Sequence, residues 1–255
     1  MITLLKSKQV ISFIIVLIVL LVSRELLKSQ LLETSYNNYN IHSLVGIFFN
    51  IVLSSIAFIY IKKNDLFQLA GLTKLKPQKW WLVLFPMLYL TALNALSMDD
   101  FGDTVSITSI ILLIVYCISI GVSEELALRG FLQSFLIKHS SHIKNNQTKA
   151  ILIAAFIFGV LHLLKFDKGV YGELGQVLFA TFIGVCFGAL LLTIKRLYPL
   201  IIAHAIIDFA AKLDAVGQSI EKGIAEAQTL GNALVIVLLV LPVFLYGLFI
   251  LKKLK

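Results

Sequence analysis

The chain has 255 residues, of which 59% are hydrophobic and 14% are charged, and its mean hydropathy is +0.94. Soluble domains carry roughly 25% charged residues, so this composition excludes a soluble globular domain and indicates an integral membrane protein. The net charge of +8 does not indicate nucleic-acid binding, because the basic residues lie in short loops between apolar runs, where they set membrane topology.

Apolar segments follow one another along the whole chain, with charged or polar residues between them. A spanning helix needs about 20 apolar residues, fewer where flanking lysines reach outward. The predicted spans are Leu4 to Ser23, Ser43 to Ile61, Trp80 to Met98, Ile110 to about Ile137, Ala150 to Leu164, Leu174 to Ile194, Tyr198 to Ala211 and Leu230 to Leu251. The sequence therefore predicts an all-α polytopic membrane protein with about eight transmembrane helices, and one domain covering residues 1–255.

Local features refine this prediction. The first span lacks a small-residue cleavage site after Val22, so it is expected to be retained rather than removed as a signal peptide. The stretch from Arg24 to His42 is expected to form an exposed loop. The fifth and seventh spans are short, and Pro86 is expected to kink the third. Cys117 and Cys186 have no paired spacing and are expected to pack as free thiols.

A stripe of small residues, Ala180, Gly184 and Gly188, repeats every four positions along the sixth span. Small residues at this spacing let a neighbouring helix approach closely in a membrane. The stripe predicts tight helix packing and no chemistry.

The loops alternate in their basic content, which predicts the orientation of the chain. Most of the 22 Lys and Arg residues fall on one face: Lys6, Lys8, Lys62, Lys63, Lys74, Lys76, Lys79, Lys138, Lys144, Lys149, Lys195, Arg196, Lys252, Lys253 and Lys255. The other face carries Arg24, Lys28, Lys165, Lys168, Lys212 and Lys222, together with Asp99, Asp100 and Asp103. Both termini are therefore expected to be cytoplasmic.

Ionisable residues occur inside three of the predicted spans. Glu124, Glu125 and Arg129 lie on the fourth, His162 on the fifth, and His204 with Asp208 on the seventh. Burying one ionisable group at membrane depth costs roughly 2.5–3.5 kcal/mol on insertion scales, so these residues are expected to face a protein interior or a cavity and to have a function there.

The spacing within each set indicates which side chains can touch. Glu125 and Arg129 are four residues apart, as are His204 and Asp208, so each pair lies on one helical face. Glu124 is turned by about 100° from Glu125 around the helix, so it cannot share the contact with Arg129 equally and remains free to interact with other groups.

These residue types suit hydrolysis. A carboxylate and an imidazole can position and deprotonate a water molecule, and further polar groups can stabilise an oxyanion. The same Glu, His and Asp set could instead hold a divalent metal such as zinc and activate its water. Spacing alone leaves both routes open.

The motifs Glu124-Glu125-x-x-x-Arg129, Phe158-x-x-x-His162 and His204-x-x-x-Asp208 resemble, in this order, those of the CAAX-protease and bacteriocin-processing family of intramembrane endopeptidases (CPBP, Abi-type). The resemblance covers roughly residues 110–211. It implies an all-helical fold with a cavity open to the cytoplasm. It also implies that Glu124 and His162 activate water, while His204 and the position of Asp208 support the oxyanion. That last position is often Asn in the family, and an ionised Asp cannot donate a hydrogen bond to an oxyanion.

The sequence therefore favours a multipass intramembrane endopeptidase that cuts a peptide or protein tail presented at the membrane. Its catalytic residues would be Glu124, His162, His204 and Asp208, and a metal-independent mechanism is favoured. A noncatalytic membrane partner or bacteriocin self-immunity protein of the same fold is the alternative. A proton-coupled transporter is a third hypothesis, although no inverted repeat is visible. The expected partners are the lipid bilayer and the substrate, and the expected location is a bacterial cell membrane.

Overall fold

The computed structural model describes residues 5–98, 105–165, 168–220 and 228–254, and these ranges contain eight helices and no strand. The helices are α1 (Lys8–Glu33), α2 (Tyr39–Lys63), α3 (Leu84–Leu96), α4 (Ile107–His139), α5 (Asn146–Leu161), α6 (Gly169–Ile194), α7 (Tyr198–Lys212) and α8 (Leu230–Lys253). The predicted all-α membrane architecture is confirmed. Six helices are long and apolar enough to cross a membrane, whereas α3 and α7 are shorter.

Helix α1 extends beyond the predicted first span. It runs to Glu33, so the prediction of a loop beginning at Arg24 was wrong, and the connection to α2 is reduced to residues 34–38. The reason is local: this stretch is rich in leucine, glutamate and lysine, which favour helix. As a consequence Arg24 and Glu25 belong to the helical bundle.

The third and fifth spans also differ from expectation. A short 3₁₀ turn, Trp80–Val83, precedes α3, and the third span is too short to be a candidate for crossing. In contrast, α5 with its own 3₁₀ turn runs to Leu164 and is long enough to cross. Pro86 is the third residue of α3. Amides in a first turn have no partner within the helix, so the proline removes no hydrogen bond within α3.

The small-residue stripe on α6 packs as predicted. A Cβ atom on Gly184 would lie 2.8 Å from the Cβ and 3.0 Å from the Cα of Ala155 on α5, so only glycine permits this approach. Helix α6 also packs along α8 and forms the middle of the bundle. Large apolar side chains such as Phe48, Leu88 and Leu238 point outward, as expected for surfaces that face lipid. Cys117 and Cys186 are free and buried, as predicted.

The loops collect at two ends of the bundle. At what we call the basic end, comprising residues 64–79, 139–145 and 195–197, Lys138 donates to the carbonyls of Asn64 and Asp65, and the amide of Leu197 donates to Gly71. The first turns of α1 lie here too, since the hydroxyls of Ser12 and Tyr60 are 2.8 Å apart.

The other loops meet at what we call the opposite end, comprising residues 34–38, 162–165, 168 and 213–220 among those that the structure describes. There the amide of Ile220 donates to Asn37, and the amide of Gln228 donates to Lys168. Leu4, Asp99, Asp100, Asp103, Lys222 and Lys255, which entered the predictions of spans and orientation, lie outside the described residues.

Candidate active site

The motif region of α4 departs from α-helical geometry. Residues Glu125–Gln133 form a π-helical segment within the continuous helix, and every one of them is buried. The Ser134 hydroxyl donates to the Arg129 carbonyl, five residues back. Such wide turns are rare and often occur at functional sites. No feature of the sequence predicted this segment, and it is the largest local difference from the α-helical spacing assumed above.

Glu125 and Arg129 form the ion pair that the spacing predicted. An Oε1 of Glu125 lies 3.1 Å from Nη1 of Arg129, and the side chains are 0% and 3% exposed. The guanidinium lies between the rings of Phe158 and Phe187, 5.0 and 5.6 Å from their centroids. These aromatic faces and the carboxylate stabilise a cation that has lost its water.

His204 joins this pair to the other carboxylates, and this contact was not predicted. Its Nδ1 lies 2.8 Å from Glu125 Oε1, so the ring donates a hydrogen bond to that carboxylate through Nδ1. Its Nε2 lies 3.5 Å from Glu124 Oε2 and 3.9 Å from Asp208 Oδ1.

Gly121 makes this arrangement possible. A Cβ at this position would lie 2.8 Å from the carbonyl oxygen of Ile201, so the glycine lets the backbone of α7 approach α4 one turn before the motif. The close approach brings His204 onto the two glutamates.

Asp208 is held by a residue that sequence analysis counted only as a topological charge. Lys212 Nζ donates to Asp208 Oδ2 over 3.0 Å, and the two residues are four apart on α7. An ammonium at this distance favours the ionised carboxylate. With a second proton on His204, the three carboxylates of the cluster are balanced by His204, Arg129 and Lys212. The i, i+4 spacing of Lys212 was the signal that could have revealed it.

We expect Asp208 and Lys212 to contribute to stability as a unit. Asp208→Asn and Lys212→Met should each destabilise the protein, because each leaves one charge unpaired. The double variant leaves none, so it should be about 1 kcal/mol more stable than the sum of the two single effects predicts. The value is kept small because the lysine is 37% exposed. Unfolding of the four proteins in one detergent measures this coupling, and strictly additive effects would contradict it.

A cavity of about 170 Å³ lies beside the cluster, and Glu124 and His162 share its wall. The lining combines apolar side chains with polar ones: Leu17, Leu21, Arg24, Glu25, Asn50, Leu53, Ser123, Glu124, Ala127, Leu128, Phe158, Leu161, His162, Leu164, Lys165, Lys168, Glu173 and Gln176. Glu124 is 30% exposed, in contrast to the fully buried Glu125. The structure thus distinguishes Glu124, which a molecule in the cavity can reach, from Glu125, which is buried against His204 and Arg129.

His162 occupies the 3₁₀ turn that ends α5. Its Nδ1 lies 2.9 Å from the carbonyl oxygen of Phe158, and since a carbonyl can only accept, Nδ1 carries the proton. Nε2 is then the ring nitrogen that is left to accept a hydrogen bond. Helix α4 runs from Ile107 to His139, which places Glu124 in mid-helix and within reach of the cavity that His162 lines, as the predicted extent of the fourth span required.

Two further cavity residues were assigned to a loop by sequence analysis. Arg24 Nε donates to Glu25 Oε1 over 2.8 Å, and the pair lines the cavity from α1. The missed signal was the uninterrupted helical composition from Leu21 to Glu33.

The described residues do not fit a metal site. They contain no group of three or more His, Cys, Asp or Glu side chains arranged to hold an ion. Nδ1 of His204 already binds Glu125, and its Nε2 faces both Glu124 and Asp208 at 3.5 and 3.9 Å. Zinc ligands surround the ion at about 2.0–2.2 Å and must turn their lone pairs toward one point, which these groups do not do.

Comparison with known protein families adds one finding. A family model described as "Rce1-like: Type II CAAX prenyl endopeptidase Rce1-like" matches residues 106–210. No curated protein and no solved structure matches the chain significantly. The matched segment runs from the N-cap of α4 into α7 and contains Glu124, Glu125, Arg129, His162, His204 and Asp208. It leaves out α1 and Lys212. Residues 106–210 of the chain are therefore similar to the Rce1-like family of type II CAAX prenyl endopeptidases.

Proposed function

We propose that this protein is an intramembrane endopeptidase that hydrolyses a membrane-presented peptide or protein tail with a water molecule activated by Glu124 and His162. The match of residues 106–210 to the Rce1-like family model supports CAAX-type intramembrane protease function in general. The observation that carries the specific proposal is the shared cavity: a reachable glutamate and a histidine with an available nitrogen line one wall, and His204 lies 3.5 Å from that glutamate.

Water is the nucleophile in this proposal. Ser123 also lines the cavity, but its hydroxyl donates to the carbonyl of Ile120 and is buried, so it lacks the adjacent base that a nucleophilic serine needs. Glu124 takes a proton from the water while Nε2 of His162 accepts the water's second hydrogen bond. The resulting hydroxide attacks the scissile carbonyl carbon.

His204 stabilises the oxyanion that this attack creates. Protonated at both nitrogens, it donates to Glu125 through Nδ1 and presents Nε2–H to the developing negative charge. Asp208 is a positioning residue, because an ionised carboxylate paired with Lys212 cannot donate to an oxyanion but can hold the charged ring in place. The carbon–nitrogen bond then breaks, and the leaving amine takes the proton held by Glu124.

Glu125 and Arg129 support the site without touching the substrate. Glu125 accepts from His204 and pairs with Arg129, so one carboxylate fixes both the ring and the guanidinium. This is a broader role than the sequence suggested, since spacing linked Glu125 to Arg129 alone.

The cavity suits an extended peptide with apolar side chains. Leucines and Phe158 form one part of its wall, and charged and amide groups form the rest. A peptide backbone needs polar partners, and its apolar side chains, or a lipid attached to it, need a dry surface. We therefore infer a peptide or protein tail as the substrate class.

We expect cells that carry the intact protein to contain cleaved membrane peptides. Cells that carry Glu124→Ala should lack these peptides and accumulate their uncut precursors. Quantitative mass spectrometry of membrane peptides measures this. Asp65→Asn is the matched control, because it also removes one carboxylate, and Asn tolerates the positive φ of 49° at this exposed position. Cleavage in isolated membranes should survive a strong chelator. Identical peptide profiles would instead favour the noncatalytic partner or self-immunity protein.

A further inference from the structure

The cavity lies toward the opposite end of the bundle. Lys165 and Lys168 come from the connection between α5 and α6, and Glu173 and Gln176 from the first two turns of α6. Arg24 and Glu25 lie in the second half of α1, which starts at the basic end. The polar part of the lining is therefore drawn from the helix ends that meet at the opposite end.

The other direction is closed by packed protein. None of the lining residues belongs to the connections that form the basic end, residues 64–79, 139–145 and 195–197. Between Glu124 and those connections, α4 continues through a run from Glu125 to Ile137 in which every residue is buried. A substrate reaching Glu124 from the basic end would have to pass this packed segment.

The two ends of the bundle differ in the number of basic residues that they carry. At the basic end, Asp65 is the one acidic residue described, and the connections with the helix ends beside them carry 14 described basic residues: Lys6, Lys8, Lys62, Lys63, Lys74, Lys76, Lys79, Lys138, Lys144, Lys149, Lys195, Arg196, Lys252 and Lys253. The described residues toward the opposite end include five basic ones, Arg24, Lys28, Lys165, Lys168 and Lys212. Short basic loops stay in the cytoplasm, so this asymmetry orients the basic end inward.

We propose that the cavity opens on the extracytoplasmic side of the membrane and admits a peptide segment exposed on that side. The inference rests on the proposed function for the identity of the substrate as a peptide, but not for the direction of opening. It differs from the cytoplasmic opening that the family resemblance implies. The side of entry limits the substrate to secreted or translocated chains and to the outer segments of membrane proteins.

Accessibility of introduced cysteines tests the direction of opening. In a background in which the two buried native cysteines are replaced by alanine, Leu164→Cys and Gln176→Cys report on the cavity wall, and Tyr171→Cys, 49% exposed, reports on the opposite end. Leu75→Cys, 61% exposed, reports on the basic end without removing a charge that sets topology. The probe is a membrane-impermeant maleimide applied to intact cells and to permeabilised cells.

We expect the wall and opposite-end cysteines to react in intact cells, and Leu75→Cys to react at least about tenfold more slowly until the cells are permeabilised. Reaction of Leu75→Cys in intact cells, with protection of Tyr171→Cys, would overturn the orientation. Labelling of Tyr171→Cys without labelling of either wall cysteine in intact cells would overturn the opening on that side. Labelling needs no catalysis, so repeating it with Glu124→Ala separates this inference from the proposed function. An unchanged labelling pattern, together with an absence of Glu124-dependent cleavage, would remove the proposed function and leave the direction of opening in place.

Discussion

Replacing Glu124 with glutamine is expected to lower the rate of peptide cleavage by at least about a hundredfold, the lower part of the range that general-base catalysis contributes. Glutamine has the size of glutamate and keeps an oxygen that can accept from Nε2 of His204, which lies 3.5 Å from Glu124. It cannot take a proton from water. The loss should therefore appear in kcat, with little change in the concentration of substrate that half-saturates the protein.

The measurement is cleavage of a synthetic peptide, chosen from those that accumulate in the Glu124→Ala cells, by purified protein in lipid vesicles. Thermal unfolding of Glu124→Gln serves as the control, and it should stay close to the parent because this side chain is 30% exposed and His204 keeps its contacts with Glu125 and Asp208. A variant with parental kcat would remove Glu124 from the role of base. A variant with low kcat and a lowered unfolding temperature would place the effect in the fold.

Replacing Arg129 with alanine is expected to destabilise the protein by about 3–5 kcal/mol, because it leaves the buried carboxylate of Glu125 without its cation. The side chains of this pair are 3% and 0% exposed, so water cannot replace the lost partner. The guanidinium also fills the space between Phe158 and Phe187, and its removal leaves a gap there. Less folded protein in the membrane and a lower unfolding temperature should both result.

Two further variants distinguish charge from packing. Glu125→Gln with Arg129→Met removes both charges while keeping similar volume, and it should recover part of the lost stability although not the activity, since Glu125 also binds His204. Lys149→Ala removes an exposed cation at the basic end of α5 and should change stability by less than about 0.5 kcal/mol. Normal abundance and normal thermal stability of Arg129→Ala would contradict the buried-pair argument.

Local rules suffice for the number and the approximate extent of the helices. Apolar runs bounded by charges predicted eight helices, because a helix that crosses lipid must satisfy its backbone internally and cover itself with apolar side chains. The same rules failed at Arg24, where a helix continues past its charges because the residues beyond it still favour helix.

The sequence by itself determined the fold class, the basic asymmetry of the loops and the contacts between residues four apart on one helix, such as Glu125 with Arg129. Each of these depends only on composition or on the repeat of a helix, which are local properties. Only the tertiary structure decided that His204 binds Glu125, that Glu124 and His162 share a cavity with Arg24, and that this cavity lies toward the opposite end of the bundle. These contacts join residues far apart in the chain, and they depend on how closely α7 approaches α4 at Gly121 and on the π-helical segment that follows, which no spacing rule specifies.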